Sequence, residues 1–216
     1  MNTYRFTFTG TDLALLPSGA LWWPGEQLLC VSDLHLGRSA RFARNAGALL
    51  PPYEVRDTLA RLEADIEATA AARVVCLGDT FDDDAAARGL EPHALDWLTR
   101  LMAGRAWVWI EGNHDPGPVA LGGTHRADYT HGPLTFRHIA DPGAEGEVSG
   151  HYHPKVRIRG ASRPCLLVDS ARVIVPAYGT YTGGLRTDAT VLTTLMGPKA
   201  LAVMTGATPR PVPMPR

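Results

Sequence analysis

The chain has 216 residues, of which 45% are hydrophobic and 20% are charged. This composition is typical of one globular domain with a sizeable core. The formal net charge of −1 excludes a global basic field for nucleic acid, although a local basic strip is still compatible with it. Met1 is not followed by a signal-peptide pattern, and the sequence lacks an apolar run of about 18 residues that would span a membrane. We therefore expect a cytoplasmic protein without a membrane segment.

Short strand patterns dominate the beginning of the chain. Residues 4–9 alternate apolar and polar side chains, which is typical of a half-buried edge strand. Residues 13–16 and 20–23 indicate a hairpin, and residues 27–32 form the first central strand. The basic segment that follows, residues 38–44, is compatible with a loop or a short helix.

Two amphipathic helices alternate with two further strands in the middle of the chain. A proline pair opens a helix over residues 53–70, and Pro92 starts another, because proline suits the first turn of a helix. Apolar side chains recur in both segments at helical spacing. Short apolar runs at 73–77 and 106–110 predict buried parallel strands.

The second part of the chain consists of strand patterns without helices between them. These patterns occur at residues 124–130, 134–138, 145–149, 155–159, 164–168 and 172–175. We predict a mostly antiparallel half, and hence an α/β fold of two mixed sheets packed face to face with helices outside. Residues 1–207 form one domain in this interpretation. The proline-rich tail 208–216 is expected to be frayed, because proline cannot hold a ladder or a helix.

Polar side chains follow three of the apolar strand patterns directly. Asp33, with His35 two residues later, follows the first central strand, while Asp79 and Asn113 follow the next two. Ligand sites in parallel sheets form outside the carboxyl ends of the strands, so these donors should meet in one place. We predict a site for two metals, with Asp79 as the bridge because it ends the middle strand.

Histidines from later in the chain complete the donor set. In Gly150-His151-Tyr152-His153, an extended backbone would place His151 and His153 on one face, since side chains alternate along a strand. One further histidine is either His131, in a hairpin turn, or His138, at the end of a strand. The strand-end pattern favours His138.

Cysteine is not expected to serve the metals. Cys30, Cys76 and Cys165 make an odd count without paired spacing. We interpret them as buried small apolar residues, because oxygen and imidazole donors already fill the site.

The motifs resemble those of the calcineurin-like metallophosphoesterase superfamily. The resemblance spans residues 33–153 and rests on Asp33-x-His35, Gly78-Asp79-x-x-Asp82, Gly112-Asn113-His114-Asp115, His138 and Gly150-His151-x-His153. The flanking stretches are similar to a narrower group, the ligase-associated metallophosphoesterases called PdeM. They are residues 32–37, 50–53, 109–116, 134–138 and 176–185.

The resemblance implies a four-layer αββα sandwich with two divalent ions, commonly manganese, with iron or zinc as alternatives. One ion would be bound by Asp33, His35, Asp79 and His153. The other would be bound by Asp79, Asn113, His138 and His151. The resemblance also implies that His114 is the general acid at the leaving oxygen and that Asp82 orients it, with Asp83 and Asp115 as competing candidates.

Basic residues follow the first and the last motif. They are Arg38, Arg41, Arg44, Lys155, Arg157, Arg159 and Arg163. Alternation along 155–159 puts Lys155, Arg157 and Arg159 on one strand face. Such a face is either simply solvated or tracks a nucleic-acid backbone through phosphate contacts. Arg38, Lys155 and Arg157 are the candidates for substrate binding.

Two tyrosines near the carboxyl end have two possible roles. Tyr178 and Tyr181 lie close to Gly183 and Gly184 and would suit stacking of an unpaired base. Core packing is the favoured interpretation for both.

The leading hypothesis is a manganese-dependent phosphodiesterase or endonuclease on DNA or RNA, in which a metal-bridging hydroxide attacks phosphorus. The PdeM resemblance implies a role in DNA repair and a functional association with a DNA ligase, a helicase and an exonuclease. A phosphomonoesterase or a small-molecule phosphatase or pyrophosphatase is the alternative, since fold does not fix substrate. A non-catalytic scaffold is disfavoured because every expected ligand type is present.

Overall fold

The computed structural model describes residues 2–45, 50–114, 121–158 and 160–216, which form two β-sheets with helices against them. The first sheet is ordered β1 to β7 along the chain. Its strands are β1 (Tyr4–Phe8), β2 (Thr11–Leu15), β3 (Leu21–Trp23), β4 (Leu28–Val31), β5 (Arg73–Leu77), β6 (Ala106–Ile110) and β7 (Thr124–Arg126). Pairing is antiparallel from β1 to β4 and parallel from β4 to β7.

The second sheet is also mixed. Its order is β15-β14-β12-β13-β10-β9-β8, and β11 pairs with β12. The strands are β8 (Asp128–His131), β9 (Leu134–Arg137), β10 (Glu147–Ser149), β11 (Lys155–Ile158), β12 (Ala161–Val168), β13 (Arg172–Ile174), β14 (Leu201–Met204) and β15 (Arg210–Pro213). Most pairs are antiparallel, as predicted, but β10 is parallel to both β9 and β13.

Helices flank the sheets at α1 (Arg38–Asn45), α2 (Glu54–Thr69), α3 (Asp84–Arg88), α4 (Pro92–Met102) and α5 (Thr190–Leu195). A 3-10 turn spans Pro24–Glu26. The sequence predicts α2 and α4 through their apolar periodicity. The other two short helices, α3 and α5, are too short to show that period, and they were not predicted. No helix within the described residues has the length and apolar character needed to cross a membrane.

Three hydrophobic clusters divide the molecule into layers. On β4, Leu28 and Cys30 face the second sheet, whereas Leu29 and Val31 face α2 and α4. A third cluster packs the outer face of the second sheet against α5 through Leu192. The resulting order of layers is helices, first sheet, second sheet and helix, which confirms the predicted four-layer α/β sandwich. All three cysteines are buried, as predicted.

The sequence predicted a frayed carboxyl-terminal tail, but part of this tail forms a strand. Residues Arg210–Pro213 form β15, which pairs antiparallel with β14. The strand lies at the edge of its sheet. Proline is tolerated there because its missing N–H can face away from the ladder. Pro211 and Pro213 are two residues apart, so the backbone nitrogens of both face the side of β15 that is not paired with β14.

Candidate metal centre

Three neighbouring strand ends deliver donors to the same edge of the first sheet. The central strand β5 is parallel to β4 on one side and to β6 on the other. Asp33, Asp79 and Asn113 follow these strands within three residues of their last residues. The carboxyl ends of parallel strands meet at one edge, so Asp79 comes to lie between the other two.

The loops after β4 and β5 are joined by backbone hydrogen bonds beyond the regular sheet. The N–H of Asp33 donates to the Gly78 carbonyl at 3.3 Å, and that of His35 donates to the Asp79 carbonyl at 2.9 Å. Asp33, His35 and Asp79 all have left-handed backbone angles, with φ of 52°, 46° and 46°. Such strain in non-glycine residues persists only where the surroundings over-determine it, and it is concentrated at functional sites.

The second sheet brings its histidines from two parallel strand ends. His138 follows β9, and the segment 150–153 follows β10, which is parallel to β9. The segment is not extended as predicted: His151 and His153 have φ of 67° and 46°. Both side chains reach the site through bends, and not through the predicted alternation along a strand.

Gly150 permits the two sheets to approach at this point. A Cβ at this position would lie 1.7 Å from Oγ of Ser32 and 2.7 Å from Oδ2 of Asp33. The N–H of His151 donates to Oδ2 of Asp33 at 2.9 Å, and Ser32 Oγ also donates to that oxygen. The turn that carries His151 is therefore anchored directly on a candidate ligand of the first sheet.

Asp33, His35 and His153 form one group of candidate metal ligands. Nε2 of His153 lies 3.1 Å from Oδ1 of Asp33, and the rings of His35 and His153 are 5.3 Å apart. Nε2 of His35 is buried and has no hydrogen-bond partner among the described residues. A bound cation would give this imidazole nitrogen a partner beside the carboxylates.

Asp79, His138 and His151 form the second group. Nδ1 of His138 donates to the Leu77 carbonyl at 2.8 Å, which leaves Nε2 unprotonated in the neutral ring. That nitrogen lies 2.9 Å from Asn113 Oδ1, 3.2 Å from His151 Nδ1 and 3.4 Å from Asp79 Oδ2. Oxygen and nitrogen atoms that can bind a metal thus converge on one point.

Asp79 connects the two groups. Its Oδ2 lies 3.4 Å from Nε2 of His138 and 4.0 Å from Nε2 of His35. One carboxylate within reach of both groups is what a bridging ligand requires. The donor set of carboxylate, amide and imidazole suits divalent ions such as manganese, iron and zinc.

Burial and neighbouring charges shift the pKa values of the candidate ligands. Burial raises the pKa of Asp33 and Asp79, but hydrogen bonds and charges from His153 and His138 outweigh it, so both pKa values are lowered. Burial lowers the pKa of His138, but the hydrogen bond and charge of Asp79 and the charge of Asp33 prevail and raise it. Burial, followed by the charge of His138, lowers the pKa of His151.

His114 lies beside both groups. Its backbone N–H donates to Oδ1 of Asp79 at 2.9 Å, and its ring is 5.3 Å from that of His35. Nδ1 lies 3.0 Å from the backbone carbonyl of Asp82. When the ring carries two protons, Nδ1 donates to this carbonyl and Nε2–H is available to a leaving oxygen.

The structure corrects how Asp82 acts on His114. The contact to His114 is made by the main-chain carbonyl, not by the carboxylate. The carboxylate lies against His35, Arg38 and Arg41 instead. The sequence cannot distinguish a side-chain contact from a main-chain contact of the same residue.

Asp83 and Asp115 were the other two candidates for orienting His114. The carboxylate of Asp83 accepts from the N–H of Ala86 and so caps α3, and it pairs with Arg44. Asp83 therefore does not orient His114 in this structure. Asp115 lies outside the described residues.

The basic residues after the first motif are used within the protein. Arg38 and Arg41 pair with Asp82, at 2.9 and 3.1 Å. Among the residues after the last motif, Lys155 donates to the Thr182 carbonyl at 3.1 Å, and Arg157 is exposed. Arg159 lies outside the described residues.

The structure distinguishes between the two histidines and between the two tyrosines whose roles the sequence left open. His131 lies 2.8 Å from Glu26 and stacks near Tyr129, away from the candidate ligands. Tyr178 is fully buried and donates to Asp65, whereas Tyr181 is 38% exposed. The core interpretation is thus confirmed for Tyr178 and is wrong for Tyr181.

Sequence reasoning missed several supporting groups. Ser32 Oγ and the Leu77 carbonyl hold Asp33 and His138, and Arg41 holds Asp82. A small residue directly before a ligand, such as Ser32, is a weak indication in the sequence of such close packing. Nothing in the sequence indicates that the backbone carbonyl of Leu77 would contact His138.

Comparisons with known proteins agree with this geometry. The model of the calcineurin-like phosphoesterase family matches residues 27–158, which is more than half of the chain and includes both ligand groups. The chain is also similar to the crystal structure of Pseudomonas putida nuclease MPE, with a TM-score of 0.75 and 26% sequence identity, over 98% of this chain and 100% of that one. Comparison with curated protein sequences finds no significant match. The chain therefore belongs to the calcineurin-like phosphoesterase family.

Proposed function

We propose that this protein is a binuclear metal-dependent phosphodiesterase that cleaves nucleic acid, as a DNA-repair endonuclease or phosphodiesterase. The observation that carries the proposal is the pair of ligand groups joined by Asp79. The similarity to a nuclease over almost the whole chain supports a nucleic-acid substrate. DNA is favoured over RNA through the resemblance to the PdeM group. A cytoplasmic location and an association with a DNA ligase, a helicase and an exonuclease stay predictions from the sequence.

Seven side chains would hold the metals. Asp33, His35 and His153 lie around one position, and His138, His151 and Asn113 lie around the other, with Asp79 between them. Two bound divalent ions, most favourably manganese, would acidify a water molecule and offset the charge of the phosphate. The amide of Asn113 adds a ligand oxygen without further negative charge, which suits a site that must accept an anion.

The protein's own residues would manage the leaving group. His114 is held by its backbone at Asp79 and by its Nδ1 at the Asp82 carbonyl. In the protonated ring, Nε2–H would donate to the departing alkoxide, which a nucleoside leaving group needs because it is strongly basic. Lys155 and Arg157 lie on β11, after the second ligand loop, and are proposed to contact substrate phosphates without reading sequence.

Substrate class is tested with one labelled DNA strand that carries a terminal phosphate. Metal-depleted protein is supplied with manganese, iron or zinc, and internal cleavage is separated from release of inorganic phosphate. We expect internal cleavage with manganese and none with chelator. Release of the terminal phosphate alone would identify a phosphomonoesterase and would contradict the proposal.

A further inference from the structure

The carboxylate of Asp82 is fully buried, with 0% of its side chain exposed, at the junction of the candidate metal centre and α1. Its Oδ1 lies 2.9 Å from Nδ1 of His35 and 2.9 Å from Nη1 of Arg38. Its Oδ2 lies 3.1 Å from Nη1 of Arg41. A buried carboxylate is tolerated only when charges and donors of this kind surround it.

The orientation of His35 follows from this contact. Because Nδ1 faces the Asp82 carboxylate, Nε2 points to the opposite side of the ring, 4.0 Å from Oδ2 of Asp79. A carboxylate at one nitrogen of a histidine keeps the proton there and leaves the other nitrogen free for a metal. Neither ring nitrogen of His35 makes a regular hydrogen bond among the described residues, but Nδ1 has the Asp82 carboxylate at 2.9 Å, which leaves Nε2 as the nitrogen that faces the candidate ligands.

The main chain of Asp82 serves a different histidine. Its N–H donates to the Leu36 carbonyl at 3.1 Å, which fixes the loop after β5 against the loop that carries His35. Its carbonyl then faces Nδ1 of His114 at 3.0 Å. The side chain and the main chain of one residue thus contact two histidines with different predicted roles.

The arginines of α1 hold the carboxylate in place. None of the residues of α1 is buried, so this helix is held largely by polar contacts. Arg38 and Arg41, one turn apart, both reach Asp82, and Arg44 reaches the neighbouring Asp83. Arg38, which the sequence suggested for substrate binding, is therefore directed with Arg41 toward a buried carboxylate.

We propose that the Asp82 carboxylate is a positioning residue for His35, secured by Arg38 and Arg41, and that it does not act through His114. The inference rests on the proposed function in that His35 is taken as a metal ligand. It assigns Arg38 to the support of the metal centre and not to direct substrate binding.

The test compares Asp82→Asn with Asp83→Asn and His114→Ala. The Asp82 variant removes the charge of the carboxylate but keeps the backbone carbonyl that contacts His114. Asp83 is a matched control, because its carboxylate pairs with Arg44 and caps α3 without a contact to His35. Calorimetric titration of metal-depleted protein with Mn²⁺ measures the affinity at each position.

We expect Asp82→Asn to weaken one of the two Mn²⁺ sites by on the order of 10–100-fold, as loss of a carboxylate behind a ligating histidine does. Asp83→Asn and His114→Ala should keep the parent affinity at both sites. At limiting Mn²⁺, the Asp82 variant should lose the same factor on a DNA phosphodiester and on a nitrophenyl ester, with recovery at high Mn²⁺. Parent Mn²⁺ affinity, or a loss confined to the DNA substrate, would overturn the inference.

Side-chain ¹⁵N NMR of the metal-free protein gives a readout without metal or substrate. In the parent, His35 should carry its proton on Nδ1 alone, whereas Asp82→Asn should show a mixture of tautomers. If Asp82→Asn does not fold, Arg41→Gln decides, because Arg41 is one-third exposed at 33%. A weaker Mn²⁺ site in that variant supports the inference, and parent affinity overturns it.

The test of Asp82 and the test of the proposed function can fail independently of each other. A parent protein that binds two Mn²⁺ ions but cleaves no phosphodiester would end the proposed function. The affinity and tautomer differences between Asp82→Asn and Asp83→Asn would still decide the role of Asp82.

Discussion

The two sheets supply ligands to the candidate centre in different ways. On the first sheet, Asp33, His35 and Asp79 are buried, and backbone hydrogen bonds between neighbouring loops fix them. On the second sheet, His151 and His153 are only partly buried, and they come from a bend that touches the first sheet through Gly150. These three ligands of the first sheet are therefore fixed within their own sheet, whereas the positions of His151 and His153 depend on how closely the two sheets approach.

Removing Asp79 should have the largest effect, because its carboxylate lies within reach of both ligand groups. Asp79→Ala should abolish phosphodiesterase activity and lower metal content at both positions. Bound manganese is measured by elemental analysis alongside activity. Asp12→Ala on β2 is a control that should keep both. Two ions per chain in Asp79→Ala would show that this residue does not bridge.

The histidine at the end of β9 tests the contribution of the second sheet. His138→Ala should lose most activity, because Nε2 of His138 meets both Asp79 and Asn113. His131→Ala, in the β8–β9 hairpin, should retain nearly the parent rate on the same substrate. The opposite result would move the ligand to the hairpin turn.

The role of His114 can be separated from metal binding by the choice of leaving group. His114→Ala should reduce cleavage of a DNA phosphodiester by about 10²–10⁴-fold, the usual contribution of positioned acid catalysis. Cleavage of a nitrophenyl ester should fall much less, because nitrophenolate leaves with little help. Both rates and bound manganese are measured on one preparation. Equal losses with full metal would make His114 a positioning residue only.

The approach of the two sheets is tested at Gly150. Gly150→Ala would place a methyl group 1.7 Å from Ser32 Oγ, and overpacking of this kind costs about 1–3 kcal/mol. Thermal unfolding should show that loss, and activity should fall because His151 shifts. Gly183→Ala is the matched control, since its Cβ would meet nothing within 4 Å. Parent stability and activity in Gly150→Ala would show that the second-sheet loop adjusts freely.

The difference between the two sheets also explains which features could be predicted from the sequence. Strands β4 to β6 and helices α2 and α4 follow from apolar periodicity, and the ligands on the first sheet follow from strand ends. The turn at His151 and His153 could not be predicted, because its positive φ values depend on contact with another sheet. The pairing of β15 was missed because composition alone does not show that a proline-rich segment lies at a sheet edge.

The supporting shell of the site was the least visible part. The motif selects Asp82, but the structure alone shows that its carboxylate contacts His35 and its carbonyl contacts His114. Likewise, the arginines of α1 read as a basic surface in sequence, although two of them pair with a buried carboxylate. Spacing along the chain reports residue type and order, and it does not report which atom of a residue makes a contact.

The central claim is that two ions share Asp79, and electron paramagnetic resonance of protein loaded with two equivalents of Mn²⁺ tests it most directly. Ions joined by one carboxylate are magnetically coupled, so the spectrum should be that of an exchange-coupled pair. Asp79→Ala, if it retains any Mn²⁺, should lose the coupling. A parent spectrum of two independent Mn²⁺ ions, or of a single bound ion, would contradict the account.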